Sequence, residues 1–511
     1  MTSKITSKIF SLKNYIAITA LIFAGYLAYD ALVSETYYFT PAGIRIAFML
    51  VVLLEAIYLL YEALRRRLDM HKATIMVMVA GFALRICYVL FTDSGTRTHD
   101  VYRDAWGHID YIKYIADNFA RPPVNECQAY HPPVHHIICA AILVVTRFFG
   151  ANFMLSLKCM QFAMLALNCL TLWYVYKILK ITKCNGAVLL AGIVVFAFHP
   201  SNIYFASKIN NDNTMLFFYT AAFYYLLKWL HHKSIKNIVL ISVFASLAVL
   251  TKKSGLLLAP VIFAVFAKEF FQNIFSKDFF QNISSKEFFK NIKDRKYYIK
   301  FYIKQYCIFL LIFIPLSMSH TVRNYLMFGQ KFGYVPSFGK GFEPTIYNLL
   351  YIPFENFLKN PFNNGGLFGG EYFIEFLFKS SLFGEWRYPG LENLGIILSI
   401  AAFAVTIVFL IYLFLLEKSD IFPYGYIFIL NFLMPLAAEI KFRFDFPVAC
   451  SQDFRYIIPV LVSVSYFLGH AVKRASMGRY VVIKYFVISS IAAFCFLSAL
   501  FIMALATAVT C

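Results

Sequence analysis

Charge is what this sequence has least of. Of its 511 residues only 14% are Asp, Glu, Lys or Arg, whereas 60% are hydrophobic, and the mean hydropathy is +0.66. A soluble globular chain carries about 25% charged residues, so this one could not cover its own surface in water. Acid is the scarcer sign: 27 Asp and Glu stand against 47 Lys and Arg, a net charge of +20. Familiar site motifs are missing as well. The ten cysteines form no CxxC pair, so neither a zinc ribbon nor a disulfide framework can be read. No HExxH segment is present, so no zinc-binding helix is specified. No A-x-A site follows the first apolar run, and a retained first helix is expected rather than a cleaved signal.

What is present is apolar length. Residues 16–32, 44–60, 394–416 and 485–509 are at or near bilayer length and carry few charges, Asp30 and Glu55 among them. The expected fold class is an all-α polytopic membrane protein of about 13 transmembrane helices. These lie near 14–33, 42–62, 73–91, 158–179, 186–204, 214–230, 237–251, 254–267, 302–319, 394–416, 422–438, 454–471 and 482–508. With the amino terminus in the cytoplasm, alternation gathers Lys4, Lys8, Lys13, Arg65, Arg66, Arg67, Lys72, Lys180, Lys183, Lys233, Lys236, Lys473, Arg474 and Arg479 on the inner side. Lys and Arg favour cytoplasmic loops, so the +20 reads as topology and no nucleic-acid partner is expected.

The chain then divides into two extra amino-terminal helices (1–72), a catalytic-sized module (73–471) and a carboxyl-terminal helix (472–511). Outer loops at 92–157 and 320–393 are long enough to need a purpose. Residues 135–149 are too short to cross and suit an interfacial or re-entrant helix. The inner stretch 268–300 repeats Lys268-Glu-Phe-Phe-Gln-Asn-Ile with a nine-residue period. Nine residues advance a helix by half a turn, so no continuous apolar stripe forms, and a surface-lying cytoplasmic insertion is expected.

The first outer loop carries the chemistry. Its wheel from Tyr102 to Phe119 places Tyr102, Trp106, Ile109, Ile112 and Ala116 on one arc and Arg103, Asp104, Asp110, Tyr111 and Asp117 on the other, an interfacial helix with its acids facing water. Asp100, just before that helix, could cap it. It could equally act as a general base that takes a proton from an acceptor hydroxyl. Five of the eleven histidines (His99, His108, His131, His135, His136) lie in the same loop. A divalent metal is conceivable, but the spacing specifies neither ligands nor geometry. Tyr130-His131-Pro132-Pro133 more readily sets the chain's entry into a short helix.

Across residues 73–470 these features resemble the C-type (GT-C) glycosyltransferases, in the protein O-mannosyltransferase and aminoarabinose-transferase-like branch. The similar residues are His99-Asp100, Gly107-His108-x-x-Tyr111, Tyr130-His-Pro-Pro, Phe198-His-Pro-Ser201, Asn211-Asp212-Asn213, Thr251-Lys252-Lys253-Ser-Gly, Arg323-Asn324 ahead of Phe328-Gly329, and Asp453-Phe-Arg455-Tyr456-Ile-Ile-Pro459. The resemblance implies an enzyme that takes a sugar from a polyprenyl-phosphate carrier (dolichyl-phosphate-mannose-like) and passes it to a glycan, lipid or protein acceptor at the non-cytosolic face. It maps the hallmark acid onto Asp100, although Gly107-His108 replaces the adjacent acids of some relatives and leaves Asp104 and Asp110 as alternatives. It implies substrate contacts for His99, His108, Tyr111, His131 and Asp212.

The donor's phosphate needs cations. Lys252 and Lys253 at an outer turn, and Arg323 and Arg455 at outer span ends, are the candidates; lysines at span ends also snorkel, and Arg matches phosphate oxygens in pairs. Tyr456 could be an interfacial belt residue, and Asp212 could cap its helix or line the pocket. Glu385 beside Trp386 could touch a sugar, or pair with Arg387 or a lysine. The glycine pairs at 365–366 and 369–370 could hinge a lid. No DxD motif appears, so no metal-bound nucleotide sugar and no cofactor are expected. The rival reading is a transporter or flippase, for which Arg85 and Glu55 inside spans would be the signature. Absence of outer N-x-S/T triplets fits a bacterial inner membrane.

Overall fold

The computed structural model describes residues 11–33, 39–97, 107–274, 285–335, 341–363, 370–421, 423–478 and 481–508. His99, Asp100 and Asp104 lie outside them. Every regular element among the described residues is helical. Helices α1 (Leu12–Val33), α2 (Pro41–Leu64) and α3 (Met70–Phe91) lead in, and α4 (His108–Asn118) and α5 (Val134–Phe148) belong to the first outer loop. Then come α6 (Phe153–Ile181), α7 (Gly186–Phe198), α8 (Pro200–Tyr204), α9 (Asn211–His231), α10 (Ile235–Thr251), α11 (Leu258–Ile274) and α12 (Ser285–Phe328). The second outer loop holds α13 (Ile346–Leu350), α14 (Phe354–Lys359) and α15 (Phe373–Phe383). The chain closes with α16 (Glu392–Phe414), α17 (Lys418–Ile421), α18 (Gly425–Asp445), α19 (Val460–Met477) and α20 (Val481–Ala504).

The protein is a multi-pass membrane protein. The expected spans fall on helical segments, although 186–204 is split between α7 and α8 and 454–471 between a 3₁₀ turn and α19. Among the described residues only nine helices are long and apolar enough to cross, or ten if the bent pair Ala449–Ile457 and Val460–Met477 counts as one. The count of thirteen is therefore not what length and composition support. α7 has 13 residues and α10 has 17, about 20 and 26 Å of helix against a hydrocarbon core of roughly 30 Å. Two boundaries also move. Helix α12 runs unbroken for 44 residues, about 66 Å, so the expected span 302–319 is its middle and the second outer loop begins after Phe328. The first repeat unit, from Lys268, forms the end of α11 rather than the start of an insertion. The 15-residue α5 is short, as expected for an interfacial or re-entrant element; with α4 and α6 it shares a core of Ile109, Ile112, Cys139, Leu143, Leu157 and Met160.

Between α7 and α8 the chain breaks at Pro200, which has no N–H to give. The carbonyl of Phe196 that would lose its partner accepts instead from Asn202 Nδ2 at 3.0 Å. Ala197 O accepts from Arg85 Nη1 at 2.7 Å, and Arg85 Nε donates to Asn168 Oδ1 at 2.7 Å. Asn168 continues to Asn202 (3.3 Å) and Asn213 (3.1 Å). Arg85 thus caps a broken helix end in the protein interior. Helices α7 and α19 pack against each other closely, because Gly192 and Gly469 have no side chain there; a Cβ on Gly192 would come within 2.8 Å of Ser465 O.

The two ends of the bundle differ. One end gathers His231–Tyr424 (2.9 Å), Lys233–Glu269 (2.8 Å) and Arg474–Asp420 (3.1 Å), all from the loops assigned inward by their basic residues. The other gathers both long loops with the α8–α9, α10–α11 and α18–α19 connections.

Candidate functional site

The α8–α9, α10–α11 and α18–α19 connections bring a charged cluster together. Asn210, not Asp212, caps α9: its Oδ1 accepts from Asp212 N at 2.6 Å. The Asp212 carboxylate, 1% exposed, is thereby left to meet another element, and it accepts from Lys252 Nζ. Lys252 ends α10, where Gly255 lets the chain fold back against Ala248 with no room for a Cβ. The ammonium also lies 4.4 Å from the centre of the Tyr456 ring, a favourable place for a cation.

Beyond the far side of Tyr456's segment, Asp453 starts a single 3₁₀ turn by accepting from Arg455 N at 2.9 Å. The Arg455 guanidinium stands 3.5 Å from Glu385 and 3.7 Å from Asp453 Oδ2, and 5.2 Å from the Tyr456 ring centre. Its Nε has no hydrogen-bond partner among the described residues. Lys208 and Glu439 lie within electrostatic reach of the same groups. Burial lowers the pKa of Lys208 and of Lys252, while Asp453 and Asp212 respectively pull them back. The outcome is cations and carboxylates interleaved in one buried cluster, with N–H donors on Lys252 and Arg455 left over.

Next to it lies a histidine group. His108 Nδ1 and His136 Nε2 are 2.8 Å apart, the His131 ring lies 5.3 Å from that of His108 at a tilt of 30°, and His135 Nδ1 meets Thr214 Oγ1 at 2.9 Å. Burial first, then neighbouring histidine and lysine charge, holds His131 well below the ordinary imidazole range, and burial does the same to His135 and His136. These rings are neutral at pH 7. Tyr111 is fully buried and stacks on His136 at 4.0 Å. That corrects its place on the water-facing arc: the phenol packs inward, and burial pushes its pKa up to about 12. Among the described residues no group of three His, Cys, Asp or Glu could hold a metal ion.

The other candidates divide. Arg323 donates to Asn324 Oδ1 (3.1 Å) and to the carbonyls of Arg121 (3.4 Å) and Pro122 (3.5 Å), so it ties α12 to the first outer loop. Lys253 donates to Tyr334 O at 2.6 Å and ties the second. Asp110 stays at the start of α4 and is half-buried. Asp117 pairs with Arg147 at 2.5 Å on an exposed face, a surface pair. His108, His131, Asp212, Lys252, Arg455 and Tyr456 come together; His99 and Asp100 lie outside the described residues. The sequence did not single out Lys208, Glu439 or, as more than a motif neighbour, Asp453. Lys208 lies two residues before Asn210 and could have been found as a cation beside a motif; Glu439, one residue past the expected span 422–438 and followed by Lys441, Arg443 and Asp445, had nothing local to set it apart. For Glu385 the structure supplies Arg455 as an ion-pair partner.

The comparisons with known proteins bear on this arrangement. Residues 130–281 match the model of the dolichyl-phosphate-mannose-protein mannosyltransferase family. The matched part holds His131, Asp212, Lys252 and Lys253, less than a third of the chain. It supports the resemblance to GT-C membrane glycosyltransferases that the motifs carry. No curated protein matches the chain. Among solved structures, ArnT from Cupriavidus metallidurans bound to undecaprenyl phosphate is similar at 12% identity, over 84% of this chain and 76% of that one, with a TM-score of 0.45. The Archaeoglobus fulgidus oligosaccharyltransferase, tethered to an acceptor peptide containing the NVT sequon, is similar at 12% identity, over 85% of this chain, with a TM-score of 0.46. The same oligosaccharyltransferase in complex with zinc and sulfate gives 15% identity over 84% of this chain and a TM-score of 0.39. The chain spans only 55% and 53% of the length of those two oligosaccharyltransferase chains.

Proposed function

We propose that the protein is an inverting glycosyltransferase that moves a sugar from a polyprenyl-phosphate carrier to an acceptor hydroxyl at the non-cytosolic face. The observation that carries this reading is the convergence of Asp212, Lys252, Glu385, Asp453 and Arg455, from distant parts of the chain, into one buried cluster. Lys252 and Arg455 are suited to the donor phosphate, each keeping N–H donors in a place where water is scarce. Lys253 and Arg323 stand at the loops that frame it, with His108, Tyr111, His131, Asp212 and Tyr456 as further substrate contacts and His99 assigned with them.

In the proposed reaction a carboxylate takes the acceptor's hydroxyl proton. The acceptor oxygen forms a bond to the anomeric carbon, and the bond from that carbon to the phosphate oxygen breaks with its electron pair remaining on the phosphate. Polyprenyl phosphate leaves, its added negative charge met by Lys252 and Arg455. Asp100 is the proposed base, with Asp104 and Asp110 next in line. A bacterial inner membrane is the proposed location, and the acceptor a glycan, lipid or protein.

The test is to incubate membranes with a panel of polyprenyl-phosphate sugars and measure released polyprenyl phosphate. Release is expected for at least one donor and should vanish in Asp100→Asn; full activity in that variant would transfer the base to another acid. No release with any donor would sink the proposal.

A further inference from the structure

The second outer loop contains a recess of about 150 Å³ lined by Asn356, Asn363, Gly370, Glu371, Tyr372 and Glu375, with room for a single pyranose ring. Three tyrosine rings lead away from it. Tyr372, in its wall, lies 5.2 Å from Tyr351, and Tyr351 stacks on Tyr347 at 4.9 Å and 19°. Tyr347 and Tyr351 are 61% and 42% exposed, an open aromatic surface beside amides and carboxylates. That pairing suits a sugar, whose C–H faces lie on aromatic rings while its hydroxyls bond to amides and carboxylates.

The recess is joined to the charged cluster on both sides. Arg443 Nη2 donates to Glu371 O at 2.8 Å and Gln452 Nε2 to Gly370 O at 2.5 Å, and Gln452 precedes Asp453. Asn363 Nδ2 donates to Gly384 O at 3.0 Å, and Gly384 precedes Glu385. Gly370 itself has φ +77°, and a Cβ there would strike Phe376, so glycine is required to form the rim. Resting on the glycosyltransferase reading, we propose that the recess and its tyrosine row are the subsite for the saccharide part of the acceptor. Neighbouring side chains support an acceptor held at the bilayer surface: Ile346 and Leu350 on α13 and Phe354 and Leu358 on α14 are 60–70% exposed, apolar groups suited to the headgroup layer.

The test is saccharide binding by the full-length protein in detergent, read by saturation-transfer NMR with mannotriose, chitotriose and maltotriose as probes. At least one should bind the wild type, and Tyr351→Ala and Glu371→Gln should each weaken it by about tenfold or more, the size expected for one lost aromatic or charged contact. Thermal unfolding of both variants, run alongside, separates lost binding from lost folding, with Tyr351→Phe expected to restore binding. Binding of none of the three, or unchanged binding in both variants, would overturn the subsite. So would a Tyr351→Ala protein that keeps saccharide affinity but loses its association with phosphatidylglycerol vesicles, since the tyrosines would then be a membrane anchor. Wild-type protein that binds a saccharide yet releases no polyprenyl phosphate would overturn the glycosyltransferase reading and leave the subsite standing.

Discussion

Consider Lys252→Met, which keeps the stem length of the lysine and removes its charge. The variant leaves Asp212, whose side chain is 1% exposed, as an unpaired carboxylate. Breaking a buried ion pair from one side costs about 3–5 kcal/mol, because the remaining charge has lost its compensation. Asp212→Leu leaves the ammonium stranded in the same way. The double variant Lys252→Met with Asp212→Leu has no buried charge to compensate, so it should recover about 2–3 kcal/mol relative to the sum of the two losses. Thermal unfolding in detergent, read across the four proteins, gives the coupling. Function should not follow stability. If the ammonium makes a charge-assisted hydrogen bond to the donor phosphate, its loss is worth about 1.5–3 kcal/mol, or roughly 10- to 150-fold in donor KM. The double variant should therefore be stable and still bind donor poorly. Additive destabilisation would show that the pair is not formed, and an unchanged donor KM in Lys252→Met would remove Lys252 from phosphate binding.

Three further outcomes are expected. The Tyr111 hydroxyl has no hydrogen-bond partner among the described residues, so Tyr111→Phe should leave stability unchanged or raise it by about 1 kcal/mol; a contact to substrate would show as about tenfold lower kcat/KM, and unchanged kinetics would make the ring a packing residue. His131, His135 and His136 have folded-state pKa values below that of a free imidazole. Between the two values the unfolded chain binds more protons, so stability is full above about pH 6.5 and falls as the pH drops, by up to about 1.4 kcal/mol per unit for each ring; a melting temperature flat from pH 7.5 to 5.5 would refute it. Arg85→Met should cost about 1–3 kcal/mol for each of Ala197 O and Asn168 Oδ1, which lose their donor, with transfer activity per folded molecule unchanged; a variant that folds normally and loses activity would return Arg85 to a functional role.

The helices were legible because bilayer burial writes itself into sequence as long apolar runs, and most of the expected spans lie on a single helix. Edges and breaks were not. Nothing local in residues 285–328 signals that one helix continues through the whole stretch; the polar first half reads as a separate surface segment when only hydropathy is followed. Pro200 lies inside the expected span 186–204 and its break went unread; Arg85 and Asn202, which satisfy the carbonyls it frees, come from 115 positions earlier and two later, and only the fold shows them meeting. In the site, motif order brought Asp212, Lys252, Arg455 and Tyr456 forward, yet their pairing spans segments that no periodicity connects. Tyr111 was misplaced because a wheel assigns a phenol by its hydroxyl, whereas the ring of His136 stacks on its face and decides its burial.

The scarcity of acid gives the charged cluster its meaning. A chain with 27 carboxylates in 511 residues places Asp212, Glu439 and Asp453 at 1%, 3% and 5% exposure, with Glu385 beside them, at one end of the bundle. Structural need does not account for this. Apolar residues of similar volume hold helices together as well as a buried ion pair does, or better, and each buried charge carries several kcal/mol of desolvation. Arg85 is a different case in its setting: its contacts close a helix end, although its Nη2, like the Nε of Arg455, has no partner among the described residues. Around Arg455 the carboxylates are near but do not complete its hydrogen bonding, and Lys252 keeps donors beyond the one Asp212 takes. Carboxylates that hold cations in place without satisfying them leave donors free for an anion, which would find its partners already desolvated and oriented.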